Sequence, residues 1–219
     1  MKIGTDAVLL GAWTCIDQNP NSILDIGAGT GILAIMLAQR SSAELIDAIE
    51  IDDQAFEQCV DNFENAPWND RLFCYHASLD AFVDEIEYQY ELIISNPPYY
   101  SEDYKTDDKQ RDLARFTDAL PAEHLLASVS KLLSKNGLFS VIIPFKDEKN
   151  FIAFASNYGL FVNRICHVKG HSNTIIKRSL LEFSFHDTEL ITEELIIETG
   201  RHQYTKEYIN LTKDFYLKM

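Results

Sequence analysis

The sequence predicts an α/β fold in which helices cover both faces of a mostly parallel sheet. Short apolar runs that indicate buried strands, such as Ser22–Ile26 and Tyr90–Ser95, alternate along the chain with segments of helical spacing. Repeated strand-then-helix units of this kind form a parallel sheet with right-handed crossovers. Two later segments, 159–169 and 176–186, alternate apolar and polar residues and indicate an antiparallel hairpin, which gives seven strands in all.

In chain order, the spacing of apolar residues predicts helices at 7–15, 32–39, 53–65, 121–134 and 146–157. Strands are predicted at 22–26, 44–51, 71–77, 90–95 and 137–144, followed by the hairpin. Thr5 or Asp6 is a natural N-cap for the first helix, and Pro121 suits the first turn of the fourth. The tail carries a further segment at 194–199 and an amphipathic end at 206–217.

Length and composition indicate a soluble protein with one large domain, or with one domain and a small appendage. The 219 residues include 46% hydrophobic ones, which is ample for one core. No apolar run approaches the roughly 18 residues of a membrane span, and nothing resembles a signal peptide. The four cysteines are scattered singly, and His167 and His171 lack a third ligand nearby, so neither a disulfide framework nor a metal site is expected. We expect a cytoplasmic monomer without a metal.

The turn after the first strand is rich in glycine. Gly27, Gly29 and Gly31 let backbone amides approach a polar ligand at the N-terminus of the next helix. Their Gly-x-Gly-x-Gly spacing differs from the Gly-x-Gly-x-x-Gly of dinucleotide sites, and no Gly-Lys-Ser/Thr of a P-loop follows. Glu50 closes the second strand, where a carboxylate can take both hydroxyls of a ribose. The alternatives are a tight turn and a surface acid, although an acid between two isoleucines fits the latter poorly.

A second motif follows the fourth strand, whose apolar run ends at Ser95-Asn96-Pro97-Pro98-Tyr99 because prolines remove donors from the strand ladder. The side-chain oxygen of Asn96 and the carbonyl of Pro97 can each accept one hydrogen of an NH2 group on a planar ring. Accepting both would free the lone pair of that nitrogen, and Tyr99 can stack on the ring. The alternative is an ordinary turn after a core strand.

The net charge of −15 argues at first sight against a nucleic-acid partner. Residues 1–100 contain 17 acidic residues against 3 basic ones, whereas residues 101–219 contain 17 against 16. Lys105 and Arg115 lie in a polar stretch, 101–117, that is long enough to be a substrate loop, and Lys177 and Arg178 pair up later. These four residues are candidates for phosphate contacts, with a solvated surface of local salt pairs as the alternative.

The segment from Asp25 to Gly31, Glu50 and the segment from Asn96 to Tyr99 together resemble the class I amino-methyltransferases that use S-adenosylmethionine. Residues 1–13, residues 177–183 and the ending with Tyr204-Thr205 and Phe215-Tyr216-Leu217 resemble bacterial tRNA(Val) adenine-N6 methyltransferases, so the resemblance covers essentially the whole chain. It implies a Rossmann-like class I methyltransferase fold and N6-methylation of the adenosine immediately 3′ of the anticodon of a valine tRNA. Members of that family usually carry a short segment before the motif that Met1 opens here.

The resemblance also implies roles for single residues. Catalysis would fall to Asn96, Pro97 and Tyr99. The cofactor would contact Lys2, Thr5, Asp25, Gly27, Gly29, Gly31, Glu50, Ile51, Ser78, Leu79 and Asn96. The tRNA would contact Tyr99, Tyr100, Lys105, Arg115, Lys177 and Arg178. Ser78 stands where related enzymes often use Asp for the adenine amine, and Asp80 could replace it only if the loop were shifted.

Within one methyltransferase domain, 1–219, we expect a cofactor-lid helix at 1–20, the cofactor-binding and catalytic core at 21–145, and the hairpin with a substrate-side tail at 146–219. Two other activities share the Asn-Pro-Pro-Tyr motif. A protein glutamine methyltransferase would need an N-terminal helical domain, and a DNA adenine methyltransferase usually needs a target-recognition domain; the chain has room for neither. A degenerate fold that serves only as an interaction module is disfavoured because both motifs are intact.

Overall fold

A computed structural model describes residues 4–98 and 121–217 of the chain. Its strands are β1 (Ser22–Ile26), β2 (Leu45–Glu50), β3 (Leu72–His76), β4 (Tyr90–Ser95), β5 (Leu133–Pro144), β6 (Phe161–His171), β7 (Arg178–Ser184), β8 (Ile191–Gly200) and β9 (Gln203–Tyr204). The helices in these residues are α1 (Thr5–Trp13), α2 (Ile32–Arg40), α3 (Asp53–Glu64), α4 (Leu79–Glu85), α5 (Ala122–Leu132), α6 (Glu148–Asn157) and α7 (Lys206–Thr212).

All the strands form one sheet in the order β3-β2-β1-β4-β5-β7-β6-β8-β9. Strands β1 to β5 are parallel, and β6 and β7 form the predicted antiparallel hairpin, so the predicted fold class is confirmed. The predicted count of seven strands is wrong, because the described residues contain nine. Strand β8 pairs in parallel with β6 and satisfies the backbone groups that β6 would otherwise leave open at the edge.

The predictions for the helices were wrong about one N-cap and missed one short helix. The N-cap of α1 is Gly4, without a side-chain hydrogen bond, instead of Thr5 or Asp6. Helix α4, which was not predicted, has only seven residues and starts at the capping residue Ser78. None of the helices in the described part of the chain is both long and apolar enough to cross a membrane.

The strands at the centre of the sheet are buried on both faces, which explains their continuous apolar runs. Ile23 and Leu92 pack on one face, under α1, α2, α3 and α7, whereas Leu24 and Ile93 pack on the other face, under α4, α5 and α6. All four of these side chains are fully buried. Each central strand is therefore held by two separate hydrophobic cores, which leaves its ends as the places where function can be added.

The register aligns the strand ends. Ile26 is opposite Ile49 in β2 and opposite Ser95 in β4, and Ser95 is opposite Val141 in β5. The residues that follow β1, β2 and β4 therefore meet at one end of the sheet, which we call the carboxyl end. In open α/β sheets, ligands bind outside the carboxyl ends of the strands. Because β7 runs antiparallel to β5, its first residue, Arg178, lies at this end as well.

Candidate active site

The glycine-rich turn after β1 forms a tight loop at the carboxyl end. Gly27, Gly29 and Gly31 have φ angles of 71°, 58° and 77°, a left-handed conformation that other residues adopt only with strain. A Cβ atom on Gly31 would lie 2.5 Å from the Phe63 ring and 2.7 Å from the Cys59 sulfur, so this glycine also permits close packing of α3. A Cβ atom on Gly27 would meet nothing within 4 Å, so the loop has open space on that side.

Glu50 joins this loop to the end of β2. Its Oε2 accepts a hydrogen bond from the Gly29 N–H at 2.7 Å, and its Oε1 accepts from the N–H groups of Ile51 and Asp52, both at 2.9 Å. A carboxylate has about four acceptor positions, and backbone donors use three of them. One acceptor position is therefore open to a hydroxyl of a ligand. If Glu50 binds both hydroxyls of a ribose, the second hydroxyl must share the acceptor position that the Gly29 N–H uses.

On the far side of Glu50, Ile51 offers an apolar surface, since 63% of the residue is exposed. Ser78 uses its hydroxyl to cap α4, accepting from a backbone N–H at 3.2 Å, and the Leu79 side chain is buried. Asp80 lies 2.6 Å from His124 of α5, so its carboxylate has a partner away from the loop. Of these candidates for an adenine contact, Ile51 is the one whose apolar side chain is largely exposed.

Asp25 lies in β1, two residues before the first glycine of the loop, and is fully buried. Its Oδ2 accepts from the Ala34 N–H in α2 at 3.3 Å, and its Oδ1 has no partner among the described residues. Burial raises the pKa of Asp25 to about 7; the Ala34 N–H opposes this rise, and the charge of Glu50 adds to it.

The Asn-Pro-Pro segment follows β4 next to this loop. The Ser95 hydroxyl donates to the Ile26 carbonyl at 2.8 Å, which ties the end of β4 to the end of β1. Asn96 is partly exposed, and Pro97 is buried behind it. The structure therefore brings Asn96 and Pro97 beside the glycine loop, as predicted. Five predicted site residues lie outside the described residues: Lys2, Tyr99, Tyr100, Lys105 and Arg115.

Phe145 is a candidate for stacking on a planar ring at the site, and the sequence analysis missed it. It follows Pro144 at the end of β5, the strand beside β4, and 38% of it is exposed. Its ring meets the ring of His167 edge-on with centroids 5.2 Å apart. His167 is held by Glu148 at 2.8 Å, and the Ser179 hydroxyl donates to the same oxygen at 2.5 Å. An aromatic residue directly after a strand-ending proline was the available signal, since it repeats the pattern after β4.

The basic residues have distinct roles. Arg40 donates to carbonyls at the end of α1 and Arg71 to carbonyls at the end of α2, so both are structural. Arg178 pairs with Asp6 through its Nε at 2.8 Å and anchors α1 to β7. Lys177 is exposed at the carboxyl end, and no ion pair involves it within the described residues. It is the better phosphate candidate of the predicted pair.

The two histidines that lie four residues apart, His167 and His171, stand in different surroundings. His167 contacts a carboxylate and His171 lies at the end of β6, and the described residues contain no group of three side chains that could hold a metal ion.

Comparison with known proteins places the chain in a family. Residues 4–146 match the methyltransferase small domain family. Proteins of Flavobacterium psychrophilum and Bacteroides fragilis are 60% and 44% identical to the whole chain, which covers 94% and 92% of their lengths. Both are named tRNA1(Val) (adenine(37)-N6)-methyltransferase.

Solved structures confirm the fold. A predicted O-methyltransferase from Agrobacterium tumefaciens superposes with a TM-score of 0.74 at 20% identity, over 95% of this chain and 96% of that one. A glycopeptide N-methyltransferase solved with S-adenosylmethionine superposes with a TM-score of 0.54 at 13% identity, over 75% of this chain and 86% of that one. With relatives 60% identical along its full length, the chain belongs to the tRNA1(Val) (adenine(37)-N6)-methyltransferases within the methyltransferase small domain family.

Proposed function

We propose that the protein transfers a methyl group from S-adenosylmethionine to N6 of adenosine 37 in a valine tRNA, the activity named for its relatives. The observation that carries the proposal is the placement of Asn96 and Pro97. They follow β4 at the carboxyl end, directly beside the glycine loop that follows β1. An acceptor pair for an exocyclic amine and a loop suited to the cofactor thus share one end of the sheet.

The residues around the loop fit S-adenosylmethionine better than a nucleotide with phosphates. Glu50 places a negative charge at the Gly29 N–H, where a phosphate would be repelled and a hydroxyl or a cation favoured. The open space beside Gly27 leaves room for a ligand, and Ile51 offers an apolar surface to an adenine ring. When bound, the cofactor supplies an electrophilic methyl group on a sulfonium ion.

The Asn96 side-chain oxygen and the Pro97 carbonyl activate the substrate amine by each accepting a hydrogen bond from one of its two N–H groups. This draws the nitrogen toward tetrahedral geometry and directs its lone pair at the methyl group. The main task of the protein is then alignment, with the reacting atoms roughly 3–3.5 Å apart. No strong base is required, because the nitrogen becomes acidic only as the new N–C bond forms and the sulfur–methyl bond breaks, and its surplus proton can then pass to water. A neutral amide and a carbonyl suffice for this chemistry.

The tRNA is held at the same end of the sheet. Bases of an anticodon loop can be splayed out without breaking a duplex, and aromatic side chains stack on them. Phe145 is exposed next to the end of β4 and can cover one face of the target base, and Lys177 can contact a phosphate. We further propose that the enzyme acts in the cytoplasm, as a monomer without a metal.

The test is a methylation trial with labelled cofactor. Valine tRNA lacking only this modification, DNA and a glutamine-containing release factor are incubated with the wild-type protein and with Asn96→Ala. We expect N6-methyladenosine in the tRNA alone, at position 37, and almost none with the variant. A tRNA with guanosine at that position is the matched control. Efficient methylation of DNA or of the protein glutamine, with unmodified tRNA, would refute the assignment.

A further inference from the structure

A cleft with a volume of about 870 Å³ lies close to the proposed active site. Thr5 at the start of α1 and Ile32 at the start of α2 line it, and Ile32 directly follows the last glycine of the cofactor loop. Gly170, near the end of β6, and Lys177, in the turn between β6 and β7, line it at the carboxyl end. Pockets of about 300–1,000 Å³ accommodate small molecules, so the cleft is large enough for a nucleoside.

The lining of the cleft suits a flat ring. Aliphatic side chains come from α1 and α2, among them Val8 and Met36, and aromatic ones come from β9 and α7. The rings of Tyr204 and Tyr208 are 5.3 Å apart; Tyr208 is buried, whereas 37% of Tyr204 is exposed. An exposed tyrosine supported by a buried one is a stacking surface, and every base has a π-face to stack on it.

The charges in the cleft determine how a nucleotide would be oriented. Glu198 and Asp214 line it, and their carboxylates would repel a phosphate but accept hydrogen bonds from the amino group of a base. Lys177 is an exposed cation in this lining, at the carboxyl end, and His171 belongs to the same lining. This arrangement favours a base inside the cleft and its phosphate at Lys177.

The cleft is within reach of the target nucleotide. Strand β7, which follows Lys177, is separated from β4 by β5 alone, and neighbouring strands lie about 4.8 Å apart. The step from Asn96 to Lys177 across the sheet is therefore roughly 10 Å. Tyr204 lies in β9, five strands from β4, so its distance from Asn96 across the sheet is roughly 24 Å, which a base several nucleotides from the target adenosine in the same loop can cover.

We propose that this cleft binds a second unpaired base of the anticodon loop, stacked on Tyr204, while the target adenosine occupies the site at Asn96. The inference rests on the proposed function and deepens it. It makes substrate selection depend on a base other than the one that is methylated, and it gives a role to β9 and α7, which cover no part of the Asn96 site.

The test is a double-mutant cycle between the protein and the RNA. Binding of a synthetic valine anticodon stem-loop is measured for wild type and Tyr204→Ala, with an abasic nucleotide at each loop position in turn. We expect Tyr204→Ala to weaken binding about ten-fold, as loss of one stacked base does. One abasic position other than the target should weaken wild-type binding equally and add nothing in the variant. Phe161→Ala is the matched control and should have no effect, because Phe161 is 38% exposed against 37% for Tyr204 but lies at the opposite end of β6.

Two further measurements separate the possible failures. Calorimetry with S-adenosylmethionine should give the same affinity for Tyr204→Ala and wild type; a loss there would assign the cleft to the cofactor and overturn the proposal. Unchanged RNA binding, or additive losses at every abasic position, would overturn it too. If Tyr204→Ala proves unstable, Tyr204→Leu keeps the apolar volume without the flat ring. Wild-type methylation of position 37 persists if only the cleft is wrong, and is absent if the proposed function is wrong.

Discussion

Two glycines of the cofactor loop share a left-handed backbone but differ in the space around them, which allows strain and packing to be measured separately. Gly27→Ala forces an alanine to a φ of 71° in open space, at a cost of about 1–2 kcal/mol. Gly31→Ala carries the same strain, and its new methyl group would lie 2.5 Å from Phe63 and 2.7 Å from Cys59. Overpacking of this kind costs about 1–3 kcal/mol more, so we expect a total loss of roughly 2–5 kcal/mol.

Urea unfolding of the wild type and both variants would give the free energies of unfolding, and the melting temperature should fall by about 2–4 °C per kcal/mol for a protein of this size. Circular dichroism before denaturation checks that each variant is folded. Equal losses for the two variants would show that α3 does not press on Gly31, and the packing argument would fail. If both variants had the same free energy of unfolding as the wild type, the left-handed conformation of the loop would be refuted.

Four further predictions concern the same end of the sheet. Gly29→Val should abolish S-adenosylmethionine binding in calorimetry, since it adds a branched side chain at a φ of 58° beside Glu50. Glu50→Ala should weaken that binding by about 1–3 kcal/mol, the cost of an unpaired polar group, and unchanged affinity would remove Glu50 from the site. Asn96→Ala should keep cofactor affinity while turnover falls by orders of magnitude; turnover within a few-fold of wild type would refute its role as the amine's acceptor. The pKa of Asp25 is raised from 3.8 to about 7, so its ionisation should lower the free energy of unfolding, by roughly 4 kcal/mol at most, as pH rises through that range. Asp25→Asn should remove that slope in urea unfolding at several pH values, and an unchanged slope would contradict it.

The parts of the site that were predictable from the sequence are those whose residue types have few other uses. A glycine-rich turn after a buried strand, an acid closing the next strand and Asn-Pro-Pro after another each mark a strand end. In a parallel sheet these ends meet, as the register of Ile26 with Ile49 and Ser95 confirms. Spacing and topology together were therefore enough to bring Glu50 and Asn96 to one place.

What could not be predicted depends on long-range partners. The pairing of Arg178 with Asp6 joins residues 172 positions apart, and no local pattern separates such a pair from a free cation. The complete burial of Asp25 depends on the helices that pack over β1. Strand β8 is rich in charge, and its residues Glu193 and Glu194 pair with β6. It forms a strand because it completes the edge of the sheet, and no alternating pattern in its sequence indicates this.

The charge of −15 is compatible with a polyanionic substrate because of where the cations lie. Lys146 follows β5, Lys177 precedes β7 and Arg201 follows β8, and these strand directions bring all three exposed cations to the carboxyl end. The structural use of Arg40 and Arg71 removes two cations from the acidic half of the chain without placing them where RNA would dock. At physiological salt, charges more than about 8 Å apart are largely screened, so the acids at the other end weaken long-range attraction far more than they weaken the docked complex. We therefore expect net charge to govern how fast the tRNA arrives, and the local cations and aromatic surfaces at the carboxyl end to govern where it binds.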